Sequence, residues 1–242
     1  MQDNPYIRIQ YLIGETKLEK IKSSHICVFG CGGVGSFVVE GLIRSGVKEI
    51  SLVDFDRIDI SNLNRQLMTN SSNIGELKVE ELKKRILSIH SDVIVHTYPI
   101  FFDSNNTLDF TSFDYVVDAI DSVNSKLEIM RQCEKSNVPL IMALGTGRKL
   151  DPTQLCVSRL YQTSICPLAK KVRILAKKEG LKNIKVVYSK EDAQAGYYNE
   201  ETNKVIVGSM IFVPASAGLL LASVVIQDLC QDDVIIKKIN KG

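Results

Sequence analysis

The chain sets short apolar runs against longer stretches in which apolar residues recur every three or four positions. Residues 25–30 form an apolar run ending in glycines, and 49–54, 93–98, 115–120 and 139–143 are similar, so each predicts a buried strand. Residues 33–45, 73–89 and 122–136 read as helices. In the second of these, Leu77, Leu82, Ile86 and Ile89 are spaced for one apolar face. Strands alternating with helices predict an α/β fold, a doubly wound Rossmann-like sheet that is mostly parallel. The rhythm then changes. Residues 154–161 and 184–189 are strand-like with a helix between them, and the turn-rich stretch 198–203 separates two β-prone runs, as in an antiparallel hairpin. The sheet is therefore expected to be extended by antiparallel strands in the C-terminal part, within a single domain spanning 1–242.

Residues 205–226 carry no charge over 22 positions, long enough to span a bilayer. Gly208, Pro214 and Gly218 interrupt them, 205–213 is β-branched and 215–229 is helix-like. The pattern predicts a buried strand followed by a core helix, with no membrane span. Hydrophobic residues make up 45% of the 242, enough to build a sizeable core. The six cysteines include no C-x-x-C pair, and the N-terminus shows neither a basic stretch nor an apolar run. Free thiols in a reducing, cytoplasmic setting are expected, and four-cysteine zinc is disfavoured. The three histidines, His25, His90 and His96, have no ligand spacing and receive no role.

Charge is uneven. Between Arg148 and Lys185 lie ten basic residues opposed by Asp151 and Glu179, a net +8 in a chain whose total is +2. Such a segment is the footprint expected for a polyanion such as RNA, or more plainly a solvated helix face.

Chemistry concentrates earlier. Gly30-Cys31-Gly32-Gly33-Val34-Gly35 follows a predicted strand and opens a helix, where glycines permit a tight turn and helix N–H groups face a phosphate. Asp54 ends the next strand, placed to hold ribose hydroxyls. A nicotinamide dinucleotide would satisfy both features. The segment 54–66 adds what a hydride-transfer site does not need: Asn62, Asn64, Arg65 and Gln66, with Arg65 offering planar donors to phosphate oxygens. Lys78 follows, and Asp121 closes the strand at 115–120, where a carboxylate could hold Mg2+. Ligands in such sheets bind beyond the carboxyl ends of the strands, where these residues gather.

This combination of G-x-G-G-x-G, D-F-D at 54–56, S-N-L-x-R-Q at 61–66, Lys78 and Asp121 resembles the ubiquitin-activating and sulfur-carrier-adenylating superfamily over nearly the whole chain. The resemblance implies ATP and Mg2+. Gly30, Gly32 and Gly33 would lie along the nucleotide, Asp54 on its ribose and Ser122 beside the adenine. Asn62, Arg65 and Lys78 would hold the triphosphate, with Asn64 and Gln66 beside them. Arg65, Lys78 and Asp121 would be catalytic, Asp121 as the metal ligand. Arg8 resembles an arginine that reaches into a neighbouring subunit's site, which implies a homodimer. Residues 1–150 would then be the nucleotide-binding half and 151–242 the substrate half.

Paired C-x-x-C motifs and a thioester or sulfur-transfer domain are missing. The segments 121–126, 145–153 and 163–169 instead resemble the tRNA threonylcarbamoyladenosine dehydratases. That family implies adenylation of the threonylcarbamoyl carboxylate on a tRNA adenosine, then ring closure by the neighbouring carbamoyl group with loss of AMP. Whether the ring is an oxazolone or a hydantoin depends on which carbamoyl atom attacks. The nucleophile belongs to the substrate, so proximity drives the closure and no enzyme thiol is required. The segment 151–242 would then grip tRNA. Cys166, ahead of Pro167 at a helix start, is read as a structural thiol. The alternative is activation of a ubiquitin-like sulfur carrier, with a sulfur-transfer or sulfur-acceptor protein as partner and Cys166 important.

Overall fold

In the computed structural model, which describes residues 4–200 and 203–231, one sheet of seven strands runs in the order β3-β2-β1-β4-β5-β7-β6. The strands are β1 (His25–Phe29), β2 (Glu49–Val53), β3 (Ile94–Tyr98), β4 (Tyr115–Asp118), β5 (Leu140–Ala143), β6 (Leu155–Arg159) and β7 (Lys185–Ser189). All neighbours pair in parallel except β6 with β7. Four of the five apolar runs predicted as strands, β1, β2, β4 and β5, are buried on both faces, whereas the edge strand β3 is only partly covered. The order reverses between β1 and β4, the switch point where a crevice opens beyond the strands' carboxyl ends.

Helices cover both faces: α1 (Ile7–Ile13), α2 (Glu15–Lys22), α3 (Gly35–Arg44), α4 (Lys78–Ile89), α5 (Val123–Ser136), α6 (Pro167–Lys178) and α7 (Phe212–Leu229). One core joins α3, α4 and α7 to the sheet, and the other joins α5 and α6 to the opposite face. The helix expected from residue 73 begins at Lys78. Gly75 holds a positive φ of 92° and the Asn73 side chain donates to the Met68 carbonyl, so 73–77 is a turn.

The expected hairpin is present as β8 (Tyr197–Asn199) against β9 (Lys204–Ile206). The buried strand expected over 205–213 is not. β9 ends at Ile206, Val207 is 63% exposed, and α7 starts at Phe212. β6 is the last strand on that side of the sheet, and the β-branched run contributes only β9, which pairs with β8 in a separate two-stranded sheet. By length and composition α7 could cross a bilayer, yet half of its residues are buried. It crosses α3 closely: a Cβ on Gly41 would lie 2.8 Å from the Ala222 Cβ, and one on Gly218 2.4 Å from the Val34 carbonyl oxygen.

Candidate nucleotide site

The glycine loop leaves β1 with Gly30 at φ 88°, a backbone conformation that disfavours side chains. A Cβ there would also lie 2.7 Å from the Ala119 carbonyl oxygen, and one on Gly35 1.7 Å from the Gly30 carbonyl oxygen. The loop is thus folded against itself and against the end of β4. Asp54, just past β2, fastens it: one carboxylate oxygen accepts from the Cys31 N–H at 2.6 Å and the other from the Asp56 N–H at 2.8 Å. Burial raises the Asp54 pKa, opposed by the Cys31 N–H and by the charge of Lys78.

The cavity over this loop has a volume of about 500 Å³, in the range of small-molecule sites. Gly30, Gly32, Gly33, Asp54, Asn62, Arg65, Gln66, Lys78 and Asp121 all line it. Three predicted residues do not. Asn64 is turned to the backbone, its amide donating to the Ser209 carbonyl at 2.9 Å while its oxygen accepts from Arg65 at 2.9 Å. Ser122 caps α5, accepting from the Ser125 N–H at 3.4 Å, and it is Ser125 that reaches the cavity wall. Arg8 is exposed on α1, outside the cavity lining of its own chain.

The lining residues are positioned by local chemistry. Asp59 and Asn62 form a reciprocal cap on a 3-10 turn, Ile60–Asn62, which fixes the start of the 61–66 segment. Arg65 donates to the Ser61 carbonyl at 2.7 Å, so its guanidinium is already anchored by its own loop. Lys78 enters at the first turn of α4 and reaches Asp56 at 2.6 Å. Its side chain is 7% exposed and that of Asp56 44%. Asp121 is exposed on the wall, three residues beyond β4. The strand ends earlier than expected because Asp118 turns its carboxylate back: one oxygen accepts from the Ile120 N–H at 3.0 Å and from buried Lys126 at 3.1 Å. Lys126 also donates to the Ala143 carbonyl at 2.8 Å. Burial raises the Asp118 pKa and Lys126 opposes it.

Apolar surface forms much of the rest of the cavity. Phe55 and Phe101 meet edge to face with 5.1 Å between centroids, both about half exposed. Thr146, Gly147, Val207 and Pro214 line the far side. Sequence reasoning missed Asp56 as the partner of Lys78, although D-F-D displayed it. It also missed Thr146, although it lies just past a strand's carboxyl end. Nothing in the sequence singles out Pro214, which comes from the other end of the chain.

Cys166 is buried at the N-cap of α6, its sulfur 3.5 Å from the Ala169 N–H. A Cβ on Gly145 would meet this sulfur at 2.8 Å, so the thiol fills a packed gap. Of the basic segment, Lys170, Lys171, Lys177, Lys178 and Lys182 are exposed. Others serve the fold: Lys149 is bound to the Glu191 carbonyl, Arg173 to Thr163 and Lys185 to Asp228.

Residues 6–236 match the model of the ThiF family. The tRNA threonylcarbamoyladenosine dehydratase of Bacillus subtilis (strain 168) is 37% identical over 241 residues, 94% of this chain and 95% of that protein. The solved E. coli tRNA N6-threonylcarbamoyladenosine dehydratase in complex with ATP superposes with a TM-score of 0.84 at 30% identity, covering 98% of this chain and 96% of that one. Its complex with AMP gives 0.83 at 32% identity, with 91% of each chain covered. E. coli MccB shares the fold at 22% identity and a TM-score of 0.65. This chain belongs to the ThiF family and, within it, to the tRNA threonylcarbamoyladenosine dehydratases.

Proposed function

We propose that this enzyme uses ATP to dehydrate threonylcarbamoyladenosine in tRNA. The observation that carries the reading is the convergence of the glycine loop, Asp54, Arg65, Lys78 and Asp121 on one cavity, in a chain 37% identical along almost its full length to a dehydratase of that name. The substrate carboxylate attacks the α-phosphorus of ATP and pyrophosphate leaves. The neighbouring carbamoyl group then attacks the acyl carbon, AMP leaves, and the net change is loss of one water from the nucleoside. Both steps need charge stabilised and groups held, not a protein nucleophile.

Asp54 takes the ribose through lone pairs left by its backbone bonds. Arg65 and Lys78 neutralise the phosphates as pyrophosphate departs; Lys78 can exchange Asp56, which solvent already reaches, for a phosphate oxygen. The Phe55–Phe101 wall takes the base. An exposed carboxylate beside a triphosphate suits Mg2+, which keeps waters and phosphate oxygens in its shell, so Asp121 would hold it. Asn64 acts indirectly, by aligning Arg65. The five exposed lysines between Lys170 and Lys182 grip the tRNA backbone. A homodimer would bring Arg8 to the partner's cavity, and the setting is the cytoplasm.

The test is incubation with ATP, Mg2+ and tRNA carrying threonylcarbamoyladenosine, followed by nucleoside mass spectrometry. A product lighter by one water, with AMP formed in step, is expected. ATP–pyrophosphate exchange only with a carrier protein ending in Gly-Gly would favour the sulfur-carrier reading instead.

A further inference from the structure

The sheet has chemistry at its other end. His25 and Glu49 are the first residues of β1 and β2, and they pair directly in the parallel register. The β2–β3 register pairs Ser51 with His96. Residues two apart on a strand share a face, so His25, Glu49, Ser51 and His96 all project from the same face at the amino end of the sheet. The nucleotide cavity opens at the opposite, carboxyl end.

The geometry is that of a ligand set. The Glu49 Oε1 lies 2.9 Å from His96 Nε2 and 3.7 Å from His25 Nδ1. All three residues offer ligand atoms within 4.8 Å of one another. A zinc ion bound tetrahedrally at about 2.0–2.1 Å from nitrogen and oxygen holds its ligand atoms about 3.3 Å apart. The two measured separations straddle that value, so small side-chain adjustments would close the site. The second shell is also in place. His25 Nε2 lies 2.9 Å from the Ser51 hydroxyl and its Nδ1 3.1 Å from the Ser112 carbonyl, so whichever nitrogen binds metal, the other keeps a partner. The Phe113 ring meets the His25 imidazole edge on at 5.0 Å and limits its rotation. The side chains of His25, Glu49 and His96 are 15%, 37% and 41% exposed, which leaves an open approach and room for a water as fourth ligand.

We propose that His25, Glu49 and His96 form a binding site for a divalent transition-metal ion, Zn2+ foremost, that ties edge strand β3 to β2 and β1. Two imidazoles and one carboxylate are a donor set that zinc accepts and that Mg2+, which selects oxygen, does not. The ligands come from three different strands, so sequence spacing alone did not disclose them. The site would act on stability and stands apart from ATP chemistry.

The test is calorimetric titration of the full chain, freed of metal with EDTA and desalted, with ZnCl2 in a buffer that does not chelate it. One tight site is expected, together with a melting temperature raised by Zn2+ and unmoved by Mg2+. His96→Ala and Glu49→Gln should each weaken zinc binding about tenfold or more. Both positions are partly exposed, and an unchanged metal-free melting temperature shows that each variant folds. His90→Ala is the control and should bind as the parent does. Thiols compete for zinc, so the Co2+-loaded protein should show ligand-field bands without thiolate charge-transfer absorption. Absence of zinc binding at millimolar concentration, thiolate bands, or affinity unchanged by both His96→Ala and Glu49→Gln would overturn the proposal.

Discussion

Of the three buried lysines among the described residues, two meet an aspartate. Lys78 reaches Asp56 at 2.6 Å, and Lys126 reaches Asp118 at 3.1 Å. The pairs differ in what surrounds them. Lys126 and Asp118 are both 0% exposed, and the lysine spends a second donor on the Ala143 carbonyl. Asp118 keeps one oxygen without a hydrogen-bond partner among the described residues. Asp56 is 44% exposed on the cavity wall, so Lys78 can trade it for another anion at little cost. The sealed pair holds the 118–121 turn in shape, and the open pair faces the cavity. Burial of the aspartate, and not of the lysine, is what separates the two ion pairs.

The largest effect that would test this contrast is on stability. Lys126→Met strands the Asp118 carboxylate in the core and should cost about 3–5 kcal/mol in urea unfolding. Adding Asp118→Asn should recover part of that loss. The pH dependence has a definite sign. Without Lys126, burial lifts the Asp118 pKa further above its unfolded value, so the folded state binds the extra proton and stability falls as pH rises. The deficit of Lys126→Met should therefore shrink as unfolding is measured at progressively lower pH towards about 5. A deficit that grows on acidification would break the account.

Lys78→Met should do the reverse, lowering AMP formation about 10²–10³-fold while costing much less stability, because water solvates the released Asp56. Arg65→Ala and Asp121→Ala should fall in the same activity range with melting temperatures near that of the parent. If Lys78→Met destabilised as much as Lys126→Met, the distinction would be lost.

Much of this was legible beforehand, and the exceptions have physical reasons. Apolar runs locate β1, β2, β4 and β5 because strands buried on both faces admit few polar residues, and the half-exposed edge strand β3 is located by its β-branched and aromatic residues. That Asp54, Arg65, Lys78 and Asp121 gather on one cavity was legible because charge beyond the carboxyl end of a buried strand has few other uses. Asn64 and Ser122 do not line the cavity because an amide or hydroxyl serves a backbone group as readily as a ligand, and here each does. The extent of β4 was overestimated because 116–121 holds two aspartates, and only the fold reveals that the first is paired with Lys126. The run 205–213 looked like core because β-branching reports strand propensity, not whether the sheet has a place for the strand.

The basic segment sharpens the contrast from outside the cavity. Reversing Lys170, Lys171 and Lys177 to glutamate should weaken tRNA binding and flatten its salt dependence by about one unit of slope per lost phosphate contact. Arg173 is excluded because it holds Thr163, and its loss would confuse binding with folding. The smallest change is expected at Cys166. Cys166→Ala removes a weak cap and a little packing, about 1 kcal/mol by thermal unfolding, and should leave turnover nearly intact. Loss of turnover in a folded Cys166→Ala protein would point to a covalent intermediate.

The close crossing of α3 by α7 sets a schedule for synthesis. The glycine loop is made early, yet its floor is laid late: Gly218 packs on Val34, Ala222 on Gly41, and Pro214 faces both Gly33 and the cavity. At about 5–20 residues per second, nearly 190 further residues take roughly 10–40 s to follow the loop out of the ribosome. For that time the nascent chain carries an apolar α3 face that nothing yet covers. A ribosome paused between residues 150 and 210 should therefore present that face to chaperones, and one that has released α7 should not.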